Sequence, residues 1–377
     1  GEVWYNSTTG TLRSRLVTGA WSSTSPITTP RGAVGGTGVT QNAVVIAGGL
    51  NPSTTPSAVT EEYNGSGWSN GGALNTSRRD VTLFGTQTSA IAAGGGTPTY
   101  TNSSESYDGS TWTAKPNINN TRSLMGSAGA SNTSGLIFGG FNPPITTATE
   151  TWDGSTWTTV NVLNTARHNL EGVGIESAAL AFGGSDPAQS KHTETWDGTN
   201  WTTVNDMPTG VGELSGAGTQ TSAIAAGGYT TASSAGSYTW DGTNWSDAPN
   251  LGTARYGLGG GGSSSSSAVA AAGYTGTAYT AVAEEYNVSA NTITAGTWSA
   301  GTVFPTSSSA VAGAGPRDAA LGISGYPAGS PPTGKSFEYN GVAWSAEATL
   351  NPSTGTKGVS AAAGTQTACI NAQNTSP

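Results

Sequence analysis

The chain has 377 residues, of which only 9% are charged and 34% are hydrophobic, and its formal net charge is -9. The acidic balance argues against general binding to nucleic acid or to an anionic membrane surface, and no apolar run is long enough to predict membrane insertion. The one cysteine, Cys369, excludes an intrachain disulfide.

The first predicted element is a hairpin within residues 1–22, in which Trp4-Tyr5-Asn6 leads through a long turn to Trp21. It opens a series of tryptophans that follow turns, at separations of 47, 44, 45, 44, 44, 53 and 46 residues. These are Trp21, Trp68, Trp112, Trp157, Trp201, Trp245, Trp298 and Trp344. A period of this length is typical of repeated structural units, and the count predicts eight of them.

Each unit is predicted to contain four short strands, named A to D in chain order. In residues 162–202 the strands are expected at about 170–174, 178–182, 191–196 and 200–204. Asp197-Gly198 suits the tight turn between strands C and D, because aspartate followed by glycine accepts positive φ angles. The stretch from Tyr286 to Trp298 resembles the same hairpin with a longer turn. The 57 glycines, without apolar runs at helical spacing, favour an all-β chain.

The last predicted element, residues 349–372, holds only an A–B pair. Together with the C–D hairpin of residues 1–22 it would complete one blade. We therefore predict a single domain over residues 1–377: an eight-bladed β-propeller of four-stranded antiparallel blades, closed by pairing of the N-terminal and C-terminal segments. The alternative is an open solenoid with two frayed caps, which would leave two sheet edges exposed.

Several features of the unit resemble the kelch repeat, and the resemblance covers nearly the whole chain. They are a glycine pair such as Gly183-Gly184, the motif Glu194-Thr195-Trp196, and the following Trp201. The repeated segments 85–90 and 218–223 also resemble kelch-like arrays encoded by marine tailed bacteriophages. The resemblance implies a propeller, and with a composition rich in Thr, Ser, Asn and Gly it favours a virion or extracellular location.

A cationic residue recurs just before strand A in six of the eight units: Arg31, Arg78, Arg122, Arg167, Arg255 and Lys357. We expect these side chains to circle one mouth of the central channel. The D–A and B–C loops should emerge on that same face, and they carry Tyr100, Phe141, Tyr229, Tyr274 and Tyr326. Guanidinium groups beside aromatic rings suit an anionic or carbohydrate ligand, or an acidic patch on a partner protein.

A structural alternative exists for the same arginines. A glutamate stands two residues before the strand C aromatic in five units: Glu61, Glu105, Glu150, Glu194 and Glu284. Each of these carboxylates could pair with an arginine as a strut inside the fold. The sequence leaves both alternatives open.

Enzyme sites are poorly supported by the sequence. Kelch propellers include copper radical oxidases, but His168 and His192 do not lie near Cys369 in the chain, and no cluster at metal-ligand spacing is present. We expect no cofactor, no metal, and a non-catalytic binding or structural module that attaches to a surface glycan or protein. The alternatives are a secreted carbohydrate-active enzyme with a site built from loops, and an assembly subunit that packs against other virion or surface subunits without a ligand.

Overall fold

The computed structural model describes residues 2–6, 11–294, 308–309, 312–314, 320–323, 326–327, 335–340, 343–349, 360–365 and 368–373. The chain divides into two compact units, residues 16–291 and residues 1–15 together with 292–377. Every regular element in the described segments is a β-strand, and none of these segments forms a helix that could cross a membrane.

The larger unit contains six four-stranded antiparallel blades of a β-propeller and a short pairing of Gly96–Thr97 with Thr99–Tyr100. In blades 1 to 6 the A strands are Gly35–Thr40, Thr82–Thr86, Gly126–Ser131, Glu171–Ile175, Ser215–Thr219 and Gly259–Ser264. The B strands are Ala43–Ala47, Ser89–Ala93, Ser134–Phe138, Ala178–Phe182, Ser222–Ala226 and Ser267–Ala271. The C strands are Thr60–Tyr63, Ser104–Tyr107, Thr149–Trp152, Thr193–Trp196, Ser237–Trp240 and Ala283–Thr294. The D strands are Trp68–Asn70, Trp112–Lys115, Trp157–Val160, Trp201–Val204, Trp245–Ala248 and, in blade 6, Thr11–Thr24.

The A strands form a closed inner ring, in which strand A of blade 6 packs against strand A of blade 1. The ring requires small residues, because a Cβ added to Gly36 would lie 2.4 Å from the backbone nitrogen of Gly260. An all-β propeller of four-stranded blades is therefore confirmed, but the predicted number of eight blades is wrong. The ring closes with six.

The error in the blade count comes from the partner of the N-terminal segment. Strand Thr11–Thr24 pairs with strand C of blade 6, and the ring of Trp21 lies 5.3 Å from that of Tyr286. The strand D tryptophan that packs on Tyr286 is therefore Trp21, near the N-terminus. Trp298, which the predicted hairpin placed there, lies outside the described residues. The predicted pairing of residues 1–22 with 349–372 is wrong, because the edge of the N-terminal strand is already used in blade 6.

The smaller unit, residues 1–15 and 292–377, contains further short strand pairings and one sheet. Glu2–Asn6 pairs with residues 11–15, and Ser308–Ser309 pairs with Tyr326–Pro327. A four-stranded sheet is formed by Ala312–Ala314, Ala320–Ile323, Lys335–Tyr339 and Trp344–Thr349. Ser360–Thr365 pairs with Ala368–Gln373. The last tryptophan-containing repeat of the sequence, at Trp344, therefore belongs to this unit and adds no blade to the ring.

A glycine pair, or Ala272-Gly273 in blade 6, joins each blade to the next. The N–H of Gly49 donates to the carbonyl oxygen of Arg78 at 2.8 Å, and a Cβ on Gly48 would lie 2.6 Å from the same oxygen. Both glycines have positive φ, 71° and 101°, which glycine adopts without steric cost. The equivalent bonds at the other junctions are Gly95 to Arg122, Gly140 to Arg167, Gly184 to Val211, Gly228 to Arg255 and Gly273 to Arg31. The last of these links blade 6 to blade 1.

Candidate functional site

The five arginines of the repeat are buried between strands and paired with the strand C glutamates of the same blade. The pairs are Arg31–Glu61, Arg78–Glu105 at 2.6 Å, Arg122–Glu150, Arg167–Glu194 at 3.1 Å and Arg255–Glu284 at 2.5 Å. Burial lowers the pKa of each arginine, and the paired glutamate opposes that shift. Each of the five arginines is at most 1% exposed. Buried arginines paired with these glutamates are the arrangement that the structural alternative expected.

Each glutamate of these pairs also holds the linker that enters its blade. The Glu105 carboxylate accepts the backbone N–H of Asn75 at 2.8 Å, and that of Glu194 accepts the N–H of Asn164 at 2.7 Å. One carboxylate therefore satisfies a guanidinium and a backbone donor that would otherwise be buried without partners. The glutamate holds the linker, and the buried arginine supplies its counter-charge.

The D–A and B–C loops do emerge on one face of the propeller, named here the loop face. The residue after each arginine position pairs with the residue after the glycine pair of the same blade, or its counterpart, as in His168 with Ser185 and Tyr256 with Tyr274. This pairing repeats at all six blades of the ring. The loops are thereby held in fixed positions around the channel mouth.

Aromatic side chains on the loop face form two groups. In one, the ring of Phe141 lies 5.7 Å from that of Tyr100 and 5.3 Å from that of His168. The other group, named here the tyrosine arc, has successive ring separations of 5.3, 5.5 and 4.9 Å. It consists of Tyr229, Tyr256, Tyr274 and Tyr279.

The tyrosine arc differs from the tyrosines that join blades. Tyr63 and Tyr107 donate their hydroxyls to Glu285 and Glu62, at 2.7 and 2.6 Å. The four half-buried side chains of the arc make no hydroxyl hydrogen bond to any residue that the structure describes. Their rings pack on one another while their polar ends remain available to a ligand.

Six residues close the channel beneath this face with a ring of backbone hydrogen bonds, named here the belt. Each N–H donates to the carbonyl of the belt residue in the preceding blade, at 2.7 to 3.3 Å, and the N–H of Ala33 closes the circle on Gly257. All six have φ between 54° and 61°. The belt consists of Ala33, Asp80, Leu124, Asn169, Glu213 and Gly257.

A cavity of about 270 Å³ lies on the loop-face side of the belt. The belt residues form its floor, and Tyr256, Tyr274, Tyr279, Leu50 and Arg79 form its walls. Apolar rings and a few convergent polar groups are the usual lining of a small-molecule site. This loop-face cavity is the candidate functional site.

Two carboxyl groups in the floor of the cavity have different surroundings. Asp80 pairs with Arg79 at 2.5 Å, whereas Glu213 has no hydrogen-bond or ion-pair partner among the described residues. Burial, with a smaller contribution from the charge of Asp80, raises the pKa of Glu213 to about 7. Beyond the belt, Glu171 lies in the glycine-lined channel, where burial raises its pKa to about 8.

The structure brings some of the predicted site residues together. Tyr274 lines the cavity and Tyr229 packs beside it, while Tyr100 and Phe141 belong to the other aromatic group. The backbone of Tyr326 pairs with Ser309 in the smaller unit, and Lys357 lies outside the described residues.

The belt side chains and Tyr256 and Tyr279 were missed. The belt stands two residues after each arginine position, so the same count would have found it. Its members were overlooked because their side chains share no chemistry. In a repeat protein, a position whose residue type varies between repeats while its neighbours stay the same can indicate a ligand-binding position.

No protein-family model matches the chain, and no curated protein matches it significantly. Among the described residues no group of three or more His, Cys, Asp or Glu side chains could hold a metal ion. The candidate site therefore has to be interpreted from its own geometry.

Proposed function

We propose that this propeller is a non-catalytic binding module that recognises a carbohydrate in the loop-face cavity. The observation that carries the proposal is the tyrosine arc with unpaired hydroxyls above a floor of carboxyl and amide groups. Aromatic rings pack against the apolar faces of sugar rings, and carboxyl and amide oxygens accept hydrogen bonds from sugar hydroxyls. The buried arginines take no part, so the proposal does not require an anionic ligand.

We further propose that the module is displayed on a virion or another extracellular surface and attaches it to a host glycan. The support is the resemblance of the repeats to kelch-like arrays encoded by tailed bacteriophages, together with a surface rich in Thr, Ser and Asn. The rigid belt and the bonded loops favour binding without a large rearrangement, which suits an attachment protein.

A glycan array tests the carbohydrate proposal. We expect the full chain to retain a defined set of glycans, and Tyr256→Ala or Tyr274→Ala to weaken that binding about tenfold, because each removes one stacking surface. Ile175→Ala is the matched control, since this exposed side chain lies at the other end of the channel. An array without any retained glycan, or equal losses in all three variants, would refute the proposal.

One observation favours a second candidate, a carbohydrate-active enzyme. Glu213 has a raised pKa near Asp80, and a carboxyl with a raised pKa beside a second carboxylate is the pairing that glycoside hydrolysis uses. Against it, Asp80 is already paired with Arg79, which leaves one unpaired carboxyl in the cavity. Release of reducing ends from retained glycans, abolished in Glu213→Gln with binding preserved, would establish the enzyme instead.

A further inference from the structure

The floor of the loop-face cavity offers no free backbone N–H to a ligand. All six belt N–H groups are used within the belt itself. The Oδ1 atom of Asn169 is buried and accepts no hydrogen bond from the described residues, and the Glu213 carboxyl is also without a donor. A ligand that brings N–H donors would satisfy both acceptors, whereas an anion would find no free backbone N–H in the floor.

The charges around the cavity also favour a cationic ligand. The one cationic side chain in the described lining, Arg79, is neutralised by Asp80 at 2.5 Å. Glu213 then carries the unbalanced negative charge when it is ionised. Burial raises the pKa of Tyr256 and of Tyr279, and the nearby charge of Glu213 adds to both shifts.

The tyrosine arc provides the second half of a cation site. The ring of Tyr274 contacts those of Tyr256 and Tyr279, and all three residues line the cavity together with Glu213. The face of an aromatic ring attracts a cation, and the attraction grows when the pair is partly removed from water. An unpaired carboxyl beside several aromatic rings is therefore suited to an ammonium group.

We infer that the loop-face cavity binds an oligosaccharide bearing a free amino group, with the protonated amine held between the Glu213 carboxylate and the rings of the tyrosine arc. This inference rests on the proposed carbohydrate-binding function and specifies its ligand. Burial raises the pKa of Glu213 to about 7, and a bound ammonium would favour the ionised carboxylate.

Two probes that differ in N-acetylation, and therefore in whether they carry an ammonium group, test the inference. The tetramers of β-1,4-linked glucosamine and of N-acetylglucosamine are titrated calorimetrically into the full chain at about pH 7. We expect the glucosamine tetramer to bind about tenfold more tightly, and Glu213→Gln to remove that preference while changing the affinity for the acetylated tetramer less than about twofold.

Glu171→Gln is the matched control, because it removes a carboxyl on the far side of the belt and should keep the preference. Equal affinities for the two tetramers, an unchanged preference in Glu213→Gln, or no binding of either tetramer would overturn the inference. The glycan array tests the proposed function separately. If neutral glycans are retained through Tyr256 and Tyr274 but the preference for the amine is absent, carbohydrate binding still holds and only the inference about the amine fails.

Discussion

The indole N–H of the strand D tryptophan shows how one side chain can join two blades. Trp112 donates it to the Thr60 hydroxyl of the preceding blade at 2.9 Å, and Trp245 donates to Thr193 at 3.0 Å. In blade 6 the residue that corresponds to Thr60 and Thr193 is Ala283. It belongs to the hydrophobic cluster against which Trp68 of blade 1 packs. The Nε1 of Trp68 is buried and has no partner in the described part of the chain. A buried donor without an acceptor costs stability.

Ala283→Thr should therefore stabilise the propeller. The new hydroxyl can accept the Trp68 N–H, which we expect to raise the free energy of unfolding by about 1 kcal/mol over Ala283→Val. Valine is the matched control, because it has the shape of threonine without the hydroxyl. Urea unfolding of both variants measures the difference. Equal stabilities would show that the hydrogen bond does not form.

At the scale of the blade, blade 5 replaces the buried ion pair by an apolar arrangement. Val211 stands at the arginine position and Tyr238 at the glutamate position. Tyr238 packs against the hydrophobic cluster that contains Val211. Pro208 stands where the other blades have a residue whose N–H donates to the glutamate, such as Asn164. Since proline has no N–H, all members of the polar network are absent together. Charge, counter-charge and backbone donor thus behave as one unit.

Transferring this arrangement to blade 4 tests that interpretation. Glu194→Tyr alone leaves Arg167 and the Asn164 N–H without their acceptor, and we expect it to lower the free energy of unfolding by about 3–5 kcal/mol. The triple variant with Arg167→Val and Asn164→Pro should recover most of that loss, because well-packed apolar groups can replace a buried ion pair at little cost.

The measurement for this transfer is urea unfolding of the single and triple variants. Arg167→Val alone serves as the control, since it should be as harmful as Glu194→Tyr. A triple variant less stable than either single change would show that the network of blade 4 is not interchangeable with that of blade 5.

At the scale of the whole propeller, closure depends on a strand that is far away in sequence. Strand Thr11–Thr24 supplies the outer edge of blade 6, and Trp21 repeats there the contacts of the other strand D tryptophans, donating to Ser237 at 3.0 Å. The belt and the glycine-pair bonds join blade 6 to blade 1 at the centre. The ring is therefore held at its inner and outer radius by different parts of the chain.

Gly19→Val should weaken this closure. A Cβ on Gly19 would lie 1.9 Å from the hydroxyl oxygen of Tyr286, a buried ring that packs on Trp21. We expect a loss of about 1–3 kcal/mol in the free energy of unfolding from overpacking. Ala20→Val is the matched control on the exposed side of the same strand and should change stability by less than about 0.5 kcal/mol. Equal effects of the two substitutions would contradict the role assigned to this strand.

Much of each blade was predictable because its determinants are close in sequence. The strands expected at about 170–174 and 178–182 are Glu171–Ile175 and Ala178–Phe182 in the structure. The turn aspartates also act locally: the Asp197 carboxylate accepts the N–H groups of Thr199 and Asn200 at 2.8 and 2.7 Å. Turn chemistry and strand alternation operate over a few residues, so they can be read without a fold.

The candidate site was less predictable, because spacing along a strand does not tell which way a side chain faces. The arginine and glutamate positions were found in register, and their pairing as struts was one of two readings that the sequence allowed. The cavity is formed by belt residues from all six blades and by tyrosines whose loops come together only in the ring.

The amino-acid sequence by itself determined the repeated four-stranded unit, its turns and the small residues of its inner strand, because these depend on neighbouring residues. Only the tertiary structure decided that six units close the ring, that the N-terminal strand completes the sixth, and that the arginines are buried. The physical reason is that a ring closes where two strand edges meet in space, and the pairing of distant edges is not encoded by the period of the repeat.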